Sequence, residues 1–176
     1  MKWIIRILGG LLVLVVVPVL GLFTAARFHD GPFEGGLAIV AAGSFDSGEL
    51  QTGLEEPDWG FLRDYSTVEF QLLDPARSRT TWIMEYDGRI FIPSGYMNSL
   101  LGKIWKHWPK EAEEDGRALL RVDGKLYERQ LVRIEDEGVA TPVLNELGRK
   151  YGGGASIPFQ QVASGDIWLF ELRPRR

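Results

Sequence analysis

The chain predicts a mainly β, α+β fold: an N-terminal transmembrane helix, then a small barrel of six or seven short strands with two small helices. Three observations carry this. Residues 7–23 hold no charge and are almost wholly apolar. Two Asp-Gly pairs, Asp87-Gly88 and Asp123-Gly124, each join two runs of strand-forming residues. With 21 glycines and 9 prolines in 176 residues, turns are favoured over long helices.

Composition narrows the classes. A chain that is 45% hydrophobic and 25% charged is folded, with room for one anchor and one domain of ordinary size. The formal charge is -4, and two of the basic residues, Lys2 and Arg6, belong to the apolar segment, which contains no acid. The remainder is therefore more acidic still, which argues against general nucleic-acid binding. The chain has no cysteine, so disulfides, thiolate metal sites and cysteine nucleophiles are excluded.

The apolar run at 7–23, extended by Trp3, Ile4, Ile5, Ala25 and Ala26, reaches the length that spans a bilayer as a helix. Lys2 and Arg6 precede it, so the basic bias places the N-terminus in the cytoplasm and the C-terminal domain outside, in the periplasm or an equivalent extracytoplasmic space. The rival reading is a cleaved signal peptide, with Thr24-Ala25-Ala26 as a small-residue site. The apolar core is longer than signal peptides ordinarily need, which favours the anchor. The expected organisation is an anchor over 1–26, a Gly-rich linker over 27–57 with one short strand at 37–40, and a barrel domain over 58–176.

Within that domain, Trp59 and Phe61 read as an aromatic plug on one end of the core. Residues 67–73 alternate, with Val68, Phe70 and Leu72 on one face, the period of a half-buried strand. Asp74-Pro75-Ala76 turns the chain, and 80–86 and 89–93 form a hairpin about Asp87-Gly88, whose two positions suit a type I′ turn. Residues 118–122 and 125–134 repeat the pattern about Asp123-Gly124. Between the hairpins, Leu100, Ile104 and Trp108 describe one apolar helical face, with Lys103, Lys106, His107 and Lys110 on the rest. Thr141 and Pro142 open a second helix with Val143, Leu147 and Tyr151 as its stripe, ended by Gly152. Residues 167–172 form the last strand.

Little conventional chemistry is encoded. The chain has two histidines, His29 and His107, too few for a zinc or iron site at ligand spacing, so no metal is expected. Ser94 precedes Gly95 without the Gly-x-Ser-x-Gly context of a hydrolase nucleophile. Glu111, Glu113 and Glu114 read as a solvated acidic run. The ligand signal is cationic: Arg77, Ser78, Arg79, Thr80 and Thr81 enter a strand, and Lys103, Trp105 and Lys106 follow on a helix. Arginine forks and hydroxyls suit a phosphate, and a tryptophan face suits a flat ring. The plainer reading makes these exposed turn residues and helix-terminal cations.

In order, Arg77-Ser78-Arg79-Thr80-Thr81, the hairpin Tyr86 to Ile92, the segment Lys103-Ile104-Trp105 and the hairpin Arg121 to Tyr127 resemble the pyridoxamine 5′-phosphate oxidase-like split β-barrel superfamily, including its deazaflavin-dependent nitroreductase relatives. The resemblance covers about residues 67–151. It implies a six-stranded split barrel with two or three short helices, a homodimer, and FMN or a deazaflavin in a groove between subunits. On that implication Arg77, Ser78, Arg79 and Thr80 hold the cofactor phosphate, and Lys103 and Trp105 line the groove. The cofactor ring would supply the redox chemistry, which explains the lack of a catalytic acid or base.

Two functions follow: a membrane-anchored flavin- or deazaflavin-dependent oxidoreductase, or a cofactor-free binding or structural module at the membrane surface.

Overall fold

Alternation of apolar residues along short strands builds one curved sheet. The computed structural model describes residues 2–33, 42–53 and 55–175, apart from the side chains of Leu101, Ile104 and Trp105. The order is α1 (Lys2–Ala26), β1 (Glu49–Leu50), a 3-10 turn (Trp59–Asp64), β2 (Val68–Leu73), β3 (Ala76–Thr81), β4 (Met84–Tyr86) and β5 (Arg89–Ser94). There follow α2 (Leu100–Trp105), α3 (Trp108–Glu114), β6 (Arg117–Val122), β7 (Lys125–Ile134), α4 (Glu137–Tyr151), α5 (Gln160–Ala163) and β8 (Trp168–Pro174).

The main path of the sheet is β3-β2-β6-β7-β8-β5-β4, antiparallel throughout, with β1 added parallel to β7. One face of five strands feeds a single core: Phe70 and Leu72 of β2, Ile90 and Ile92 of β5, Ala118 and Leu120 of β6, Leu131 of β7, and Phe170 and Leu172 of β8. A sheet whose inner face meets itself in this way is curled, and β3 and β4 remain the ends of its path. The architecture is α+β, a long apolar helix and a curled antiparallel sheet of split-barrel form, as the order of motifs implied. Each large apolar side chain buried here contributes about 1.5–3 kcal/mol.

Residues of the opposite parity carry a second core. Met84, Phe91 and Leu169 point to the outer face and pack on Ala140, Val143, Leu144 and Leu147 of α4. Both Asp-Gly turns have positive φ at each central residue, 54° and 71° at Asp87-Gly88 and 49° and 74° at Asp123-Gly124, the geometry that a type I′ hairpin requires.

Several elements differ from expectation. The strand expected over 80–86 is two: β3 pairs with β2 and ends at Thr81, and β4 resumes at Met84 to pair with β5. This break adds a strand to the six that the resemblance implied. The helix expected from Leu100 to Trp108 is also two. Pro109, lacking an N–H, starts α3, so Trp108 is buried against Phe70 and Phe170 while Leu100 stands in solvent. α4 begins five residues before Pro142, because the Asp136 side chain accepts from Val139 N at 3.0 Å and caps the helix. Of the two expected plug aromatics, Trp59 is buried edge-on to Tyr127, whereas Phe61 is exposed.

α1 is long and apolar enough to cross a membrane. The described residues after it are held on the sheet: Asp30 pairs with Arg121 at 2.8 Å, Pro32 bridges Ala42, and Gly43 O accepts from Ser78 N at 3.0 Å. The strand expected at 37–40 lies outside the described residues.

Candidate functional site

Strand alternation divides the basic run of β3. Phe70 pairs with Arg79 across the β2–β3 ladder and Gln71 with Ser78, so Arg79 joins Phe70 on the inner face while Ser78 faces outward. The Arg79 guanidinium lies 5.5 Å from the ring centroids of both Phe70 and Trp108. Its Nε is sealed from solvent without a hydrogen-bond partner among the described residues. Burial lowers the Arg79 pKa to about 10; Glu111 acts in the opposite direction through space, without an ion pair among the described residues. Even so lowered, the group is cationic at neutral pH.

Arg79 forms part of the wall of a cavity of about 780 Å³, within the range of about 300–1,000 Å³ usual for small-molecule sites. Thr80, Thr81 and Trp82 continue that wall along the sheet edge, Ser94, Tyr96 and Lys106 line another part, and Tyr151, Gln161 and Asp166 contribute from α4 and the segment leading to β8. Lys106 donates from Nζ to Gly95 O at 2.6 Å and lies near the Tyr96 ring. Burial depresses its pKa, with Asp166 opposing. Tyr96 holds a positive φ of 59°, uncommon for a bulky residue, and is largely exposed.

The connection between β3 and β4 is pinned from α4. Lys150 Nζ donates to Leu62 O, Tyr65 O and Ile83 O at 3.0, 2.6 and 2.8 Å. The Tyr151 hydroxyl accepts from Ile83 N at 3.0 Å and lies 2.8 Å from Ser66 O. Burial raises the Tyr151 pKa, and the bond from Ile83 partly offsets it. Trp82 stacks on Tyr151, centroids 4.5 Å apart and planes 7° from parallel.

Of the six residues expected to hold a cofactor, Arg79 and Thr80 line this cavity. Arg77 is exposed, and Ser78 is buried with its hydroxyl donating to Gly43 O. Lys103 is exposed and absent from the wall, and the Trp105 side chain lies outside the described residues. Sequence reasoning does not single out Trp82, Tyr96 or Tyr151 as site residues. Trp82 follows the basic run directly, which is a usable signal; Tyr151 is some 70 positions away and only folding brings it near.

A second cavity, about 600 Å³, adjoins the first through Thr67 and Thr80. Its cation, Arg121, is already paired with Asp30 and Glu69 at 2.8 and 2.7 Å and covers the Phe45 ring. Of the two, the guanidinium without an ion pair among the described residues is therefore that of the larger cavity. An anionic group there would meet Arg79 with Thr81, two positions on and on the same strand face, also on the wall, a donor set suited to a phosphate or carboxylate.

No family model matches the chain, and no curated protein matches it. Among solved structures it is similar to a putative pyridoxamine 5′-phosphate oxidase of Listeria innocua, at 11% identity and TM-score 0.45, covering 65% of this chain and 88% of that one. It is similar to a conserved hypothetical protein of Mycobacterium tuberculosis at 13% identity and TM-score 0.48, covering 73% and 86%. A third similar structure is the heme storage protein HutZ of Vibrio cholerae, at 13% identity and TM-score 0.46, covering 69% and 90%. In each the similarity is one of chain path, at identities too low to carry over a ligand or an activity.

Proposed function

We propose that the larger cavity binds an anionic, ring-bearing ligand of the FMN or deazaflavin class, and that the protein is an oxidoreductase held at a membrane by α1. The observation that carries this reading is Arg79: a half-buried cation on a cavity wall, its Nε sealed from solvent, with aromatic faces beside it and no carboxylate in contact among the described residues. Desolvating a guanidinium without a counter-ion is unfavourable, and a ligand anion would remove that penalty.

Arg79 would fix the anionic end, with Thr81 on the same strand face beside it. The walls of Trp82, Tyr151 and Trp108 would exclude water from an aromatic body. A bound flavin-type group supplies the hydride or electron transfer that no side chain here offers. α1 would place the domain on the extracytoplasmic side, following the basic residues Lys2 and Arg6 before it. A homodimer is the expected assembly, and light scattering on the detergent-solubilised chain showing monomer alone would remove it.

One observation favours the cofactor-free module. The Arg79 guanidinium already lies over the Phe70 and Trp108 rings, so cation–π contacts meet part of its demand. Visible absorbance of the full chain purified from membranes, before and after incubation with FMN or a deazaflavin, separates the readings. A flavin band retained by the native chain and lost in Arg79→Gln supports the oxidoreductase. A colourless protein that takes up neither leaves the binding module.

A further inference from the structure

We infer that the stacked pair Trp82–Tyr151 is the platform on which the ligand's flat ring lies; this rests on the reading that the larger cavity takes such a ligand. Trp82 occupies the two-residue break between β3 and β4, the end strands of the curled sheet, so it stands where the barrel is split. It contributes to neither core. It remains 47% exposed although one ring face is covered by Tyr151. An exposed tryptophan that merely decorated a loop would be free to turn. This one is buttressed, because Tyr151 is hydrogen-bonded to Ile83 and Ser66, and the neighbouring Lys150 ties α4 to three carbonyls around the same break.

Rigid support of an exposed ring lowers the entropy lost when a ligand stacks on it. Trp82 and Arg79 are three positions apart and line the same cavity. A ring on Trp82 with a phosphate tail at Arg79 therefore satisfies the platform together with a cation that meets no carboxylate among the described residues. The pairing assigns separable roles: Trp82 recognises the ring and Arg79 the charge.

FMN and riboflavin share a ring and differ in the phosphate, so the two roles can be read independently by fluorescence titration of the full chain in detergent. Trp82→Ala should weaken FMN and riboflavin by the same factor, about tenfold, and Trp82→Phe should restore most of the loss. Arg79→Gln should weaken FMN by about tenfold or more while leaving riboflavin unchanged. Equal FMN and riboflavin affinity in Trp82→Ala and the native chain would overturn the platform; a loss confined to FMN in Arg79→Gln would then leave the cavity reading standing. A native chain that binds neither would overturn both. Thermal melting of Trp82→Ala beside Trp82→Phe, which keeps an aromatic ring on Tyr151, separates lost recognition from lost structure.

Discussion

Arg79 faces Phe70 across the β2–β3 ladder, its guanidinium 5.5 Å from that ring's centroid and 5.5 Å from the ring of Trp108. A cation thus lies over two rings in edge-to-face contact at the edge of an apolar core, its Nε without a hydrogen bond among the described residues. Packing alone would be served as well by an apolar side chain, because a buried charge carries a desolvation penalty that hydrophobic contacts do not.

Arg79→Met tests whether the charge serves folding or binding. Methionine keeps length and contact with both rings while removing the charge. Stability to urea should be unchanged or higher, by up to about 1 kcal/mol, while FMN uptake falls. A loss of several kcal/mol would mark the arginine as structural.

Ser78 predicts the opposite pattern. Its hydroxyl and its N–H both bond to Gly43 O, joining β3 to the segment that follows α1. Ser78→Ala should cost about 0.5–1.5 kcal/mol and speed hydrogen exchange in residues 42–48, with FMN affinity unaltered.

Asp30 makes the same attachment sensitive to acid. Burial alone would raise its pKa, but bonds from Ser47 Oγ, Asp46 N and Arg121 outweigh this and hold the carboxyl below the usual carboxylate range. A depressed folded pKa contributes stability that is present above the unfolded value near 3.9 and lost as pH falls below it. Protease cleavage within residues 42–48 should therefore rise below about pH 4 in the native chain. Asp30→Asn should show the higher rate already at neutral pH and a flatter profile. Identical profiles would show that Asp30 does not hold the segment.

Lys150 is the keystone of the break that carries Trp82. Lys150→Met leaves three carbonyls, of Leu62, Tyr65 and Ile83, without their shared donor, for a loss of about 1–3 kcal/mol. The stack of Trp82 on Tyr151 should loosen with it, read as a change in near-ultraviolet circular dichroism. An unchanged aromatic signal would separate the stack from this anchor.

The apolar helix, the two Asp-Gly hairpins and the strand faces are legible in the sequence, because each rests on local periodicity or on the backbone needs of a two-residue turn. The spacing of Val68, Phe70 and Leu72 suffices to put them on one face, since alternation along a strand is a property of the backbone. The same alternation requires Ser78 and Arg79 to part, although their adjacency suggested a shared phosphate site. Which of the two lines a cavity is settled by tertiary packing, because it depends on what covers each face: Gly43 over Ser78, and open space beside Arg79. Packing likewise brings Tyr151 beneath Trp82 and Lys150 to the carbonyls of Leu62, Tyr65 and Ile83. Contacts across some 70 to 90 residues are fixed by the seating of the whole sheet on α4, and no local pattern encodes them.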